Sequence, residues 1–248
     1  RVLGSQGNNN VDAKLFAELM NSVSDRLGLL QDKMERSQEL QCAQVLETGV
    51  VTTKNGDTID YKRKAASLVN LGAGQYFVNT IDPFEKFEAG CVFLRTKGRS
   101  ADNTFNAILG ARALHDLLAN AEFRTRQNLF NLNLDAVQGP ARNGVGAAFH
   151  GVVTAGSFKI QLWTYPQYYE LESPAGTFTD TPYLNDKKVT MIPLNPRFKM
   201  AFAQVPQLID EPGQVPAQGA YLIGEYKDKR KTVHDFEIQC APLAVPVA

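Results

Sequence analysis

The chain has 248 residues, 44% of them hydrophobic, with 26 basic side chains against 26 acidic ones. Zero formal net charge speaks against a dedicated nucleic-acid binder, which carries a basic excess or stripe. The apolar content speaks against a disordered chain and suffices for one large or two moderate domains. No run approaches the ~18 apolar residues of a membrane helix, so no membrane partner is expected.

Arg1 opens the chain and RVLGSQGNNN reads as a polar, Gly/Asn-rich tail. The expectation is a processed, truncated or partly ordered product, with a segment originally ahead of it. Residues 11–48 then follow a helical pattern. Phe16, Met20, Val23, Leu27, Leu30 and Met34 keep a four-three spacing that places them on one stripe. Lys14, Glu18, Asp25, Gln31, Asp32, Glu35 and Arg36 fill the other faces. Asn10 or Asp12 suits the N-cap, and Gly49 suits a left-handed C-terminal cap. At about 1.5 Å per residue the helix exceeds roughly 50 Å, long for a globular domain. Gly28 weakens it by about 1 kcal/mol relative to Ala. The stripe loses phase after Met34, where a coiled coil would keep its heptads, so a helix laid along a sheet fits better.

Val50–Thr53 and Thr58–Tyr61 flank Asn55-Gly56, the strongest short-range hairpin signal, and the hairpin is expected at the edge of a larger sheet. Lys62-Arg63-Lys64 reads as a solvated turn rather than a nucleic-acid contact. Gly72-x-Gly74 lacks the third glycine and the helix of a dinucleotide loop, so no cofactor is expected. Asp82-Pro83 opens a short helix ending near Gly90, followed by a short apolar segment, Cys91–Leu94. Thr96–Ser100 is a polar turn, and Asp102 or Asn103 is read as capping a second helix over residues 104–120, with Phe105, Ile108, Ala111, Leu114 or His115, and Leu118 on one face.

Residues 121–148 read as irregular, and a loop that long tends to be functional or to pack on a neighbour. From Phe149 the pattern is β. Val152–Thr154, Phe158–Tyr165, Lys188–Ile192, Phe198–Val205, Ala220–Tyr226 and Val233–Ala241 are strand-like. Tyr165, Tyr168, Tyr169, Pro174 and Pro182 punctuate an aromatic segment, and Gly213–Gly219 is a connector. Helix, hairpin, mixed segment and then strands make the class α+β.

Little in the chain calls for catalysis. Cys42, Cys91 and Cys240 are isolated, without C-x-x-C spacing, and read as reduced thiols rather than a disulfide or zinc framework. His115, His150 and His234 are far apart, and His115 and Asp116, as helix neighbours, are expected to point apart. Glu85 and Glu88 lie one turn apart with no histidine or metal-type cluster beside them. Cys91 as a nucleophile lacks a visible base. No catalytic, cofactor-binding or metal-binding residue is assigned, and the expectation is that the protein is not an enzyme. A hydrolase would need His150 or His234 to meet a carboxylate and a nucleophile.

The order of motifs resembles the lambda-type major capsid proteins of tailed bacteriophages. The resemblance rests on the long helix leading into the hairpin (11–61) and on Asp82-Pro83-Phe84-Glu85-Lys86-Phe87. It continues through Phe149-His150-Gly151 with Ile160-x-Leu162-Trp163-x-Tyr165 and through the run Pro182–Ile192, and ends in Phe236-Glu237-Ile238-Gln239-Cys240-Ala241-Pro242-Leu243. Two departures stand out: the family's N-terminal arm and extended loop have no counterpart ahead of the helix, and residues 121–148 carry no alignable motif.

The resemblance implies the tailed-phage capsid fold. Residues 1–64 and 187–248 would form a peripheral domain, with spine helix 11–48 packed on an antiparallel sheet. Residues 65–186 would form an inserted mixed α/β axial domain. It further implies a structural protein of the virion that assembles with itself as hexamers and pentamers into an icosahedral shell around double-stranded DNA, which it encloses without reading. Scaffold, portal and decoration proteins would be its other partners, and the host cytoplasm its place of assembly. Lys227–Lys231 and the loop 121–148 are the expected contact surfaces. The different-class alternative is a soluble adaptor or binding module that oligomerises through the long helix.

Overall fold

The structure is a computed structural model that describes residues 9–53, 56–71, 77, 81–130, 141–142, 146–172, 176–205, 217–228 and 233–246. The first element, α1 (Asn9–Glu47), is a continuous helix of 39 residues. It stops where the sequence said: Gly49 adopts φ +74, and its amide donates to Val45 O at 3.1 Å. β1 (Val50–Thr52) and β2 (Thr58–Asp60) follow as an antiparallel pair. They form a two-stranded sheet of their own, not the edge of a larger one as expected.

By its internal contacts the chain divides into two compact units, residues 1–41 with 200–245, and residues 42–199 with 246–248. The larger unit carries the principal core. After a single 3-10 turn (Ala65–Ser67) come α2 (Pro83–Thr96), β3 (Thr104–Leu109), α3 (Ala111–Ala119) and α4 (Ala121–Phe130). Next are β4 (Ala141–Arg142), β5 (Ala148–Ala155), β6 (Phe158–Thr164), β7 (Tyr168–Glu172), β8 (Phe178–Pro182) and β9 (Val189–Pro193). Five strands form one sheet in the order β4-β5-β6-β3-β9. β3 and β6 run parallel, with Phe105 opposite Ile160 and Ala107 opposite Leu162, and the other pairings are antiparallel. The mixed α+β class expected from the sequence is what is found.

Asp82 and Pro83 start α2 as their chemistry requires. Asp82 Oδ1 accepts from the Phe84 amide at 2.8 Å, and proline occupies the first helical position, where no donor is needed. The helix does not end near Gly90, and Cys91–Leu94 continues it to Thr96. Gly90 is a packing residue rather than a stop: a Cβ there would lie 2.5 Å from Met191 Sδ on β9.

Residues 104–109 correct the expectation of one helix over 104–120. Phe105, Ala107 and Leu109 are buried while Thr104, Asn106 and Ile108 are not, a period of two that makes a strand. Helix begins only after Gly110. Asp102 is no cap there. It accepts from the Asn195 amide at 3.3 Å and so ties the start of β3 to the segment after β9. Residues 121–148 are also less irregular than expected, since α4 occupies Ala121–Phe130. Asn120 explains both the end of α3 and the start of α4. Its amide donates to Leu117 O, and its side-chain oxygen accepts from the Phe123 amide at 3.0 Å. Its Nδ2 donates to Phe77 O and to Ile81 O, so this buried side chain is satisfied on both atoms.

α2, α3 and α4 cover one face of the sheet. Phe84, Phe87 and Cys91 of α2, Leu117 of α3 and Phe123 of α4 meet Phe105, Leu109, Val153, Ile160 and Leu162 from the strands. Each of the Phe, Leu, Ile and Val side chains contributes about 1.5–3 kcal/mol by leaving water. The rings of Phe84 and Phe123 stack at 5.6 Å. Arg126 spans the junction: its guanidinium lies 4.5 Å over Phe84 and 2.9 Å from Asp82 Oδ2.

The smaller unit combines the helix up to Gln41 with β10 (Phe198–Phe202), β11 (Gln204–Val205), β12 (Ala217–Gln218), β13 (Leu222–Asp228), β14 (Val233–Gln239) and β15 (Pro242–Pro246). These strands pair two by two, β10 with β15, β11 with β12 and β13 with β14. Among the described residues, hydrogen bonds between helix and strands lie at the C-terminal end of this helical segment. Tyr221 Oη lies 3.4 Å from Glu35 Oε1 and 3.5 Å from Gln38 Nε2, and Gln41 Oε1 accepts from the Ala244 amide at 3.2 Å. The stripe was expected to lie on a sheet, yet Met20 and Leu30 are 49% and 39% exposed. Val23, Leu27 and Met34 are half-buried.

Replacing Leu162 by Ala should lower the unfolding free energy by about 2–5 kcal/mol, because the site is fully enclosed between β5, β3 and the helices. Urea denaturation of Leu162→Ala beside Ile108→Ala, a half-buried residue on the opposite face of β3, checks it: the Leu162 variant should be the less stable of the two.

Candidate functional site

The residues that could carry chemistry are dispersed. Glu85 and Glu88 are both exposed on α2. Cys91 is fully buried, and burial, reinforced by the Glu88 carboxylate, pushes its thiol up to about 11. It is therefore a neutral core side chain at physiological pH, not a nucleophile. His115 does reach its neighbour, contrary to expectation, with Nδ1 3.4 Å from Asp116 Oδ1. The same carboxylate oxygen of the buried Asp116 is held at 3.1 Å by the exposed Arg112 one turn earlier, so the carboxylate is taken up in a local i, i+4 ion pair. His150 Nε2 lies 2.7 Å from the Thr164 hydroxyl, a cross-strand contact between β5 and β6. The His234 side chain lies outside the described residues. Among the described residues no group of three or more acidic, histidine or cysteine side chains is placed to hold a metal ion. Gly72 and Gly74 also lie outside the described residues. Lys62 pairs with Asp60 at 3.1 Å, and Arg63 donates to Leu46 O at 2.6 Å and to Ser67 Oγ at 2.8 Å, so two of the three cations in the run 62–64 are taken up locally, while Lys64 is exposed.

What the chain does present is surface suited to contact. On α1, Leu19 and Leu29 are 60% and 62% exposed beside Met20 and Leu30. β7 and β8 form an antiparallel ribbon separate from the main sheet. It is anchored at its base by Tyr169 and Tyr165 against the buried Tyr183, with ring centroids 5.1 and 6.1 Å apart. Beyond that base, Tyr168, Leu171 and Phe178 are exposed. A two-stranded ribbon is marginal alone in water, and these side chains give it an exposed apolar and aromatic face. Ile223 on β13 and Phe236 on β14 are exposed as well. Of the two expected contact surfaces, Lys227 and Asp228 belong to β13, residues 229–231 lie outside the described residues, and 121–148 begins with α4. The β7–β8 ribbon was missed because the Tyr and Pro signals in 165–182 read as punctuation.

The family model for phage major capsid protein E matches residues 15–248, nearly the whole chain. The chain belongs to the phage major capsid protein E family. No curated protein matches it. A phage major capsid protein is a structural component of the virion, not an enzyme, and its place is the capsid. This membership agrees with the resemblance drawn from the motif order. Among the described residues no helix is long and apolar enough to cross a membrane.

Thiol labelling checks the assignment of Cys91 to the core. Cys42 is exposed and should react with a maleimide at pH 7 in the folded capsid protein, whereas Cys91 should react only after denaturation. The thiol keeps its proton in the fold and loses it near 9 when unfolded, so its contribution to stability is present below pH 9 and fades as pH rises towards 11.

Proposed function

We propose that copies of this chain assemble as hexamers and pentamers into the icosahedral shell of a tailed phage, enclosing packaged double-stranded DNA. Membership of the phage major capsid protein E family carries the reading. Exposed apolar side chains on α1 and on the β7–β8 ribbon support it. A chain with 26 positive and 26 negative side chains suits a wall that encloses the genome without reading it. Unlike patches meeting head to tail close into rings, which is the geometry capsomers need.

The finer organisation belongs to the same proposal. Residues 1–64 and 187–248 serve as the peripheral domain, with α1 as its spine, and 65–186 as the axial domain around the five- and six-fold axes. Assembly takes place in the host cytoplasm, with scaffold, portal and decoration proteins as further partners. The partly exposed stripe on α1 supports a second reading, a helix-mediated oligomer of small fixed size.

Electron microscopy and sedimentation velocity of the complete protein, alone and with its scaffold, test the proposal. Capsomers or shells are expected. A stable monomer under both conditions would overturn it. Substituting Met20, Val23 and Leu27 together by Ser separates the two readings: a small oligomer that falls to monomer only in this variant favours the adaptor, and capsomers or shells from the parent favour the capsid.

A further inference from the structure

Glu170 on β7 and Asp180 on β8 are direct cross-strand partners in the ribbon register. Side chains two apart on a strand share a face, so Tyr168 and Phe178 flank this carboxylate pair on the same side. All four are exposed. Like charges set directly opposite destabilise a strand pair, and a ribbon of two strands has little stability to lose. Among the described residues neither carboxylate makes an ion pair. The ribbon thus carries a face that is both acidic and aromatic, and none of the described residues neutralises it.

A complementary feature lies at the end of α2. The turn after Thr96 exposes Lys97 and Arg99, and neither makes an ion pair among the described residues. Arg99 sits at φ +52, a left-handed backbone that costs a non-glycine residue about 1–2 kcal/mol. Two backbone bonds hold the turn there, Lys97 N to Phe93 O at 2.8 Å and Ser100 N to Leu94 O at 3.3 Å. The two cations are therefore presented on a fixed backbone. Lys62, Arg112, Arg126 and Lys188 of this unit are engaged within it, with Asp60, Asp116, Asp82 and Glu47. Lys64, Lys86, Lys159, Lys187, Arg197 and Lys199 are exposed and, like Lys97 and Arg99, make no ion pair among the described residues. Lys97 and Arg99 differ in sitting on a turn held in a left-handed backbone at Arg99.

Resting on the capsomer reading above, we propose that the β7–β8 ribbon face of one copy receives the Lys97–Arg99 turn of a second copy. The Arg99 guanidinium pairs with the Glu170 and Asp180 carboxylates and stacks on the Tyr168 or Phe178 ring, and Lys97 supplies the second charge. The two patches differ, so each copy offers one to each of two neighbours and the contact propagates head to tail around a ring.

Charge reversal on the full chain tests this by sedimentation velocity and electron microscopy at low salt. Glu170→Lys with Asp180→Lys, and separately Lys97→Glu with Arg99→Glu, should each cut the assembled fraction about tenfold or more while circular dichroism and the melting temperature stay near those of the parent. Combining all four reversals should restore assembly. Lys97→Gln with Arg99→Gln should weaken assembly less than reversal does. Unchanged assembly in either reversed pair, or no recovery in the four-fold variant, overturns the contact and leaves the capsid reading standing. Recovery of the acidic-face variant by Arg197→Glu with Lys199→Glu instead also overturns it. A parent that never assembles overturns the capsid reading and this contact with it.

Discussion

The larger unit depends on β3 lying between β6 and β9. Parallel pairing with β6 cannot be made by a tight turn, so the chain must leave β3 and cross back before it can pair. That crossing carries α3 and α4 and then β4 and β5, and it brings Leu117 and Phe123 onto the same sheet face as Phe105 and Leu109. α2 arrives from the other direction, and Gly90 lets it approach Met191 on β9. Remove the central strand and the helices lose their common surface. Asn120 shows how tightly this is specified: its backbone amide ends α3, and its buried side chain caps α4 and holds the carbonyls of Phe77 and Ile81. An apolar replacement of similar size would leave those groups without partners in a dry place.

Much of this was readable from residues whose chemistry is local. Asp82-Pro83 opens a helix because the carboxylate satisfies an amide and proline lacks one. Gly49 ends α1 because its left-handed backbone excludes most other residues. The alternation from Phe158 to Thr164 is carried by side chains that are buried in strict turn. The failures share a different cause. In 104–109 Phe105 and Ile108 satisfy a helical spacing by coincidence, and only pairing on both edges selects a strand for six residues. In 121–130 the capping residue was hidden because Asn120 also terminates the helix before it. Gly90 looked like a stop since sequence shows the missing side chain but not the methionine that needs its space.

For the functional surfaces the limit lies in register. The stripe on α1 is plain in sequence, yet periodicity reports only that apolar residues share a face, not what covers them. Glu170 and Asp180 are ten positions apart, and nothing in composition announces that they stand opposite one another. A slip of one residue in the pairing would place one of them on the other face of the ribbon, and the acidic face would not exist.

A subunit built to associate faces a conflict. Surfaces apolar enough to bind strongly are also apolar enough to aggregate, and free strand edges invite pairing with any other chain. The β7–β8 ribbon resolves it by mixing the two kinds of group. Tyr168 and Phe178 supply area that gains from being covered, while Glu170 and Asp180 repel a second ribbon of the same kind. Self-stacking of identical ribbons would set four carboxylates together, whereas a cationic partner would relieve the two already opposed. The penalty carried by the isolated chain therefore acts as a selection rule. It disfavours the symmetric encounter and favours contact between unlike patches, and contact between unlike patches is what lets identical subunits form a closed ring.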